Sequence, residues 1–216
     1  DNADFAYTAK DIKAHFEDKD ISTLLLINPD NPSGNFIPMA DLMPLIEWTR
    51  GRGITTIVDE SFVDFTDDFT NNSLLHNKIL ETYDNLVVVK SISKSYGVPG
   101  LRLGVLASGD KDLIARMKKE VAIWNINSFA EFYMQIFGKY EKDYTDACRK
   151  FIDERSIFFE ELQAVPYLRV IPSQANYFLC EVTHTYTATE VTQLLLKRYN
   201  ILIKDCGTKS AFAGKQ

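Results

Sequence analysis

The chain has 216 residues, is 45% hydrophobic and 25% charged, and carries a formal net charge of −6. That composition suits a globular chain of one domain or two small ones with a buried core. The acidic balance argues against a dedicated nucleic-acid binder, which needs basic stripes to replace counterions on phosphates. No apolar run reaches the roughly 20 residues of a membrane helix.

Thr8 is placed to cap a short helix running to about Glu17, with Asp11 near its positive end. Ser22–Ile27 (STLLLI) is nearly all apolar, the pattern of a strand covered on both faces. NPDNPSGN is turn chemistry. Pro38 opens a helix with Leu42, Leu45 and Ile46 on one side, and Gly51 and Gly53 end it. Ile54–Val58 predicts a second strand closing on Asp59. Leu74–Tyr83 predicts a helix, Asn85–Lys90 (NLVVVK) a third strand, Leu101–Ala107 a fourth, and Asp110–Lys119 a helix.

Beyond about Ser128 the chain changes character. One or two long helices are expected over Ser128–Leu162, where Cys148, Phe151, Ile152, Phe158, Phe159 and Leu162 make a core stripe at helical spacing. Strands are expected at Leu168–Ile171, Asn176–Val182 and Ile201–Lys204, with a helix at Ala188–Tyr199. The alternation predicts an α/β fold: a mostly parallel sheet with flanking helices and right-handed crossovers, followed by a smaller C-terminal α+β unit.

Cys148, Cys180 and Cys206 are far apart and lack a C-x-x-C pair, so they are predicted unpaired, in a reducing compartment such as the cytoplasm. Buried filler is the expected role of these cysteines, ahead of a catalytic thiol. His15, His76 and His184 have no metal-ligand spacing, and no metal site is expected.

Ligands of open α/β sheets collect beyond the carboxyl ends of the strands. Three polar constellations stand there: Asn28–Gly34, Asp59–Phe62 and Ser91–Arg102. In the last, SISKSYGVPGLRLG, Lys94 sits between serines. Ser91 and Ser93 offer hydroxyl donors, Gly97 and Gly100 admit a close backbone approach, and Arg102 offers a planar fork suited to phosphate. Positive charge beside an amine favours its neutral form, which attacks aldehydes. A solvated surface lysine is the bland alternative. Asp59 reads either as a helix cap or as a buried anion awaiting a cation, and NPDNPSG alone reads equally as a plain turn.

NPDNPSG, VDESFVDF and SISKSYGVPGLRLG, in this order and spacing, resemble the three signature segments of pyridoxal-phosphate (PLP) enzymes of aminotransferase fold type I. The nearest group is class I/II, around histidinol-phosphate aminotransferase and threonine-phosphate decarboxylase. The similarity continues through IWNINS, SQANYFLCEV and ILIKDCG, and so covers nearly the whole chain.

The resemblance implies PLP as cofactor, with Lys94 and Asp59 as the catalytic pair. Lys94 matches the amine that bonds the PLP aldehyde and later moves the substrate proton. Asp59 matches the carboxylate that keeps the pyridine nitrogen protonated, so that the ring accepts electrons. Asn31 matches the amide that hydrogen-bonds the ring 3-oxygen, and Ser91, Ser93 and Arg102 match the ligands of the cofactor phosphate. Residues 1–140 then belong to a large PLP-binding domain and residues 141–216 to a small C-terminal domain. The implied partners are an amino acid or amino-phosphate substrate and, for the parent protein, a second copy in a homodimer, with no nucleic acid and no membrane.

Two residues depart from the family pattern. Phe62 stands where many aminotransferases have a tyrosine whose hydroxyl also contacts the 3-oxygen; a phenyl ring cannot donate that bond. Phe62, ESFVDF, VPGLRLG and IWNINS look more like the threonine-phosphate decarboxylase branch. Lys204, in ILIKDCG, stands where relatives often have an arginine for a substrate phosphate, and keeps the charge without the fork. A solvated strand end is its equal alternative.

Family members carry an N-terminal region with a phosphate-binding helix start, a ring-stacking aromatic and part of the dimer contact, and a later arginine for the substrate carboxylate. Neither has a match here, so a piece of a longer enzyme is expected, with weakened PLP affinity, an open sheet edge and poor substrate orientation. Three functions compete: an aminotransferase moving an amino group between an amino acid and a 2-oxo acid, a PLP lyase like threonine-phosphate decarboxylase, and a non-catalytic folding or association module.

Overall fold

The computed structural model describes Asn2 and residues 4–207. Thr8 and Asp11 cap helix α1 (Ala9–Phe16) reciprocally: the Asp11 amide donates to the Thr8 hydroxyl, and the Thr8 amide donates to the Asp11 carboxylate. Strand β1 (Thr23–Ile27) leads to α2 (Met39–Gly51), whose Leu42, Leu45, Ile46 and Thr49 fall on one buried face. The chain then turns through Gly53, at φ +67°, into β2 (Thr55–Asp59). Helix α3 (Asn77–Thr82), strand β3 (Leu86–Ser91) and strand β4 (Gly104–Ser108) follow.

The sheet order is β1-β2-β3-β4, with the first three strands parallel and β4 antiparallel to β3. The sheet is therefore mostly parallel. The lysine loop between β3 and β4 holds no crossover helix, so the chain turns back beside β3 instead of passing over the sheet. On one face Leu24, Leu26, Val58, Leu86 and Val88 pack with Ile12, Leu42, Leu45 and Ile46 of α1 and α2. The other face is not covered at β1, where Leu25 is 61% exposed, contrary to the strand buried on both sides that STLLLI predicts.

Two further boundaries differ from the sequence reading. Helix α3 begins at Asn77, not Leu74; the Leu74 amide donates to the Glu60 carboxylate, and Leu74 itself is fully buried. Strand β4 begins at Gly104, because Pro99–Leu101 forms a single 3-10 turn and Arg102 follows it in the left-handed region at φ +56°.

The C-terminal half contains α4 (Lys111–Glu120), α5 (Ser128–Phe137), α6 (Glu141–Gln163), an antiparallel pair β5 (Leu168–Val170) and β6 (Cys180–Val182), and α7 (Ala188–Tyr199). Arg155 of α6 is buried and ties this half to the first: its guanidinium donates to the Phe65 carbonyl and the Asp67 carboxylate. The stripe on α6 is core only in part. Cys148 is buried and Phe151 packs on Phe65 at 4.8 Å between ring centroids, but Phe158 is 52% exposed. Strand β6 is shorter than Asn176–Val182, because residues 174–177 turn inward to the loop after β1. Ile201–Lys204 forms no strand: no neighbouring strand pairs with it among the described residues, and its side chains are exposed. Residues 208–216 of the expected C-terminal unit lie outside the described residues.

Candidate active site

Because β1, β2 and β3 run parallel, they deliver Ile27, Asp59 and Ser91 to the same edge. Pairing continues one step past the strands: the Asn28 amide donates to the Asp59 carbonyl at 2.9 Å, and the Glu60 amide to the Val89 carbonyl at 2.8 Å. The three sequence constellations therefore meet at the carboxyl edge of the sheet, where ligand sites of such sheets form.

Asp59 Oδ1 accepts from the Ser61 amide at 2.9 Å and the Ser61 hydroxyl at 2.5 Å. Asp59 Oδ2 accepts no hydrogen bond among the described residues. The Ser91 amide donates to Ser61 Oγ at 3.0 Å, and the Ser93 amide reaches Ser91 Oγ at 3.4 Å. Neither the Ser91 nor the Ser93 hydroxyl donates to a described residue, so both protons are available to an anion.

Lys94 is exposed, and its Nζ lies 3.9 Å from the centroid of the Phe62 ring. Phe62 is buried and meets Tyr177 edge-on, at 5.1 Å between centroids. The Tyr177 hydroxyl donates to the Asp30 carbonyl at 2.8 Å, which carries the contact on to the asparagine loop. Burial, with the charges of Asp30 and Asp59, pushes this phenol above its ordinary range and keeps it neutral, as a donor must be.

The asparagine loop contains two cis bonds, Asn28–Pro29 and Asn31–Pro32. Its ends are joined by Asn28, whose side-chain amide donates to the Ile37 carbonyl and accepts from the Ile37 amide. Asn31 is exposed and its side chain makes no hydrogen bond within the described chain. Arg102 is exposed too; its guanidinium makes a long bond of 3.4 Å to the Pro99 carbonyl. The Ile92 amide donates to the Leu103 carbonyl at 3.3 Å, so Arg102 stands across from Ser93.

The structure thus brings Asp59, Ser91, Ser93 and Lys94 into one connected group, with Asn31 and Arg102 at its margins. It adds residues that sequence reasoning missed. Ser61 was legible only as an Asp-x-Ser spacing, which permits a side-chain bond to the amide two residues on. Tyr177 is 147 residues from Asp30, and no local pattern announces their contact. Beneath the site Lys90 pairs with Asp64 at 2.7 Å, and Glu60 is fully buried, its carboxyl pushed up to about 7 chiefly by burial. Lys90, the one charge in NLVVVK, was the available signal for that pair.

Other candidates carry less chemistry. Cys148 is buried and its thiol is raised by that burial, which disfavours a reactive thiolate. Lys204 is exposed. Among the described residues no cluster of three or more His, Cys, Asp or Glu side chains is placed to hold a metal, and no helix is long and apolar enough to cross a membrane.

The donor set fits PLP. It offers an exposed amine for the aldehyde, a carboxylate oxygen without a donor for the pyridine N–H, and two uncommitted hydroxyls with a guanidinium for the phosphate.

The sequence matches the family described as Aminotransferase class I and II over residues 1–212. It is 34% identical to the CMP-5'-(3-aminopropyl)phosphonate synthase of Streptomyces rubellomurinus, over 99% of this chain and 33% of that protein. It is 29% identical to the L-serine phosphate decarboxylase of Sulfurospirillum multivorans, over 98% of this chain and 54% of that one. The solved structure of a decarboxylase from Sulfurospirillum multivorans superposes with a TM-score of 0.85 at 28% identity, covering 98% of this chain and 60% of the other. The histidinol-phosphate aminotransferase of Clostridium acetobutylicum superposes with a TM-score of 0.81 at 27% identity, covering 93% and 58%. The chain spans between a third and just over half of the length of these two curated relatives.

Proposed function

The chain belongs to the aminotransferase class I and II family, and on that premise we propose that it is the PLP-binding part of an enzyme that remakes bonds at the α-carbon of an amino acid. The observation that carries this reading is the connected group at the strand ends. Asp59 and Ser91 are joined through Ser61, and the Lys94 amine lies over the ring of Phe62, the residue after Ser61. In this reading residues 1–140 are part of a large PLP-binding domain and residues 141–216 part of a small one.

Bound PLP supplies an electron-accepting ring conjugated to the substrate α-carbon. The protein's own residues do the rest. Lys94 would present its amine to the aldehyde and would carry a proton to or from the α-carbon. Asp59 would accept the pyridine N–H through Oδ2 and so favour the charged nitrogen. Ser91, Ser93 and Arg102 would hold the phosphate, and Asn31 the ring 3-oxygen. Phe62 has no hydroxyl to add there, and holds Lys94 through its ring face instead.

The first reading of the reaction is transfer of an amino group between an amino acid and a 2-oxo acid, by the parent protein acting as a homodimer in the cytoplasm. The second is decarboxylation of a phosphorylated amino acid. Phe62 favours it, and so do the names of the decarboxylase relatives. The two differ in which bond at the substrate α-carbon is broken.

Borohydride reduction of the PLP-loaded protein, followed by peptide mapping, is expected to place the pyridoxyl group on Lys94. A label elsewhere overturns the reading. Release of carbon dioxide, against formation of a 2-oxo acid, separates the two reactions. Calorimetric titration of residues 1–216 with PLP tests the third possibility, an association module, which predicts no saturable binding.

A further inference from the structure

Ser61 is 6% exposed and stands two residues past Asp59. A serine hydroxyl has one proton to give. Here it goes to Asp59 Oδ1 at 2.5 Å, and the oxygen that gives it accepts the Ser91 amide at 3.0 Å. The order of donation is fixed, because an amide can only donate and an ionised carboxylate can only accept. The Ser61 amide adds a second donor to the same Oδ1 at 2.9 Å. One carboxylate oxygen is thereby held by two donors, and Oδ2 accepts no hydrogen bond among the described residues.

The geometry points to Ser61 as a positioning residue that locks the Asp59 carboxylate to the first residue of the lysine loop. Asp59 ends β2 and Ser91 ends β3; their register runs to Asp59 and Val89, and the Glu60 amide adds one last backbone bond to the Val89 carbonyl at 2.8 Å. Beyond that bond the Ser61 hydroxyl is the hydrogen-bonded link between the two ends among the described residues. Turning its side chain away breaks both hydroxyl bonds together and uncouples the loop from the carboxylate, which then keeps only the Ser61 amide. For PLP the link means that the residue facing the pyridine nitrogen and the residues facing the phosphate are held at a fixed separation. This consequence rests on the function proposed above.

Alanine at this position keeps the backbone bond to Asp59 and removes both hydroxyl bonds, while threonine keeps the hydroxyl. In the chain without cofactor, Ser61→Ala is expected to speed hydrogen exchange of the Ser91 amide by about ten-fold or more, since the lost bond leaves a donor unpaired. Exchange at Val58 and Val88, inside the same strands, is expected to stay unchanged, which separates a local link from general loosening. With PLP, Ser61→Ala is expected to raise the dissociation constant about ten-fold and to shift the visible absorption of the bound cofactor. Ser61→Thr is expected to restore both.

Unchanged exchange at Ser91 in Ser61→Ala overturns the link. Altered exchange together with wild-type PLP affinity and absorption overturns the positioning role. A wild-type protein that takes no pyridoxyl label on Lys94 removes the PLP reading instead, and the exchange at Ser91 still decides whether Ser61 makes the link.

Discussion

The ammonium of Lys90 lies 2.7 Å from Asp64 Oδ1, and the two side chains are 7% and 9% exposed. The pair sits directly under the site, since Lys90 precedes Ser91 and Asp64 lies two residues past Phe62. Asp64 Oδ2 is buried with no hydrogen-bond partner, so the carboxylate depends on this one cation. Lys90→Met is therefore expected to cost about 3–5 kcal/mol, the usual result of leaving a buried charge alone. The double variant Lys90→Met with Asp64→Leu is expected to lose less than the single one. Urea denaturation of the three proteins checks this. A Lys90→Met loss below about 1 kcal/mol is incompatible with a buried pair of this kind.

The sequence exposed the frame of this region more readily than its wiring. Apolar runs ending in Ile27, Asp59 and Lys90 mark three strands, because burial dictates their composition. Glycine, proline and asparagine mark the loops, because turn geometry does. Lys94, Asp59, Ser91 and Ser93 stand out as polar residues where apolar strands stop. What stays hidden depends on tertiary contact. The link from Tyr177 to Asp30, the capture of Leu74 by Glu60 and the anchoring of α6 by Arg155 join residues far apart in the chain. The failed strand at Ile201–Lys204 has the same cause. Its apolar pattern is strand-like, but a strand needs a neighbour and none pairs with it among the described residues.

The Phe62 ring face beneath Lys94 is the second test. An exposed cation over an aromatic face gains about 0.5–1 kcal/mol. Phe62→Leu removes that face, which favours the ammonium over the amine that attacks the aldehyde, and is expected to speed pyridoxyl incorporation at Lys94 by roughly two- to five-fold, the rate equivalent of that energy. Phe62→Tyr keeps the face and is expected to label at the wild-type rate. Timed borohydride trapping with peptide mapping measures both, and equal rates for the leucine and wild-type proteins remove the cation–π role.

Gly34 secures the asparagine loop against the segment before Tyr177. It lies at φ +74°, its carbonyl accepts from the Gln174 amide at 2.9 Å, and a Cβ there would sit 2.1 Å from Ser173 Oγ. Gly34→Ala is therefore expected to push these segments apart, at about 1–3 kcal/mol for the clash and about 1 kcal/mol for the left-handed backbone. Gly53 is the control. It has a similar φ of +67° with nothing within 4 Å of a Cβ, so Gly53→Ala is expected to show only the backbone cost. Thermal melts of the two variants compare them directly, and equal losses would refute the packing argument.

Glu60 links the site to pH. Its carboxylate accepts from the Leu74 amide at 2.5 Å and the Ser73 hydroxyl at 2.8 Å, and its carboxyl is pushed up to about 7 from an ordinary 4.5. Burial is the largest cause; the two donors and Lys90 oppose it, and Asp64 adds to it. Between about 4.5 and about 7 the folded chain holds a proton that the unfolded chain has lost. Stability from this group is thus full below that window, falls as pH rises through it, and is gone above it. A shift of this size corresponds to roughly 3 kcal/mol. Tyr96, pushed up to about 12 chiefly by burial, does not titrate in the window. Glu60→Gln cannot ionise, yet its amide can still accept from Leu74 and donate to Ser73 Oγ. Between pH 5 and pH 8 the wild-type protein is expected to lose roughly 3 kcal/mol more stability than Glu60→Gln, read from urea midpoints at each pH. Parallel pH profiles for the two proteins would assign the dependence to other groups.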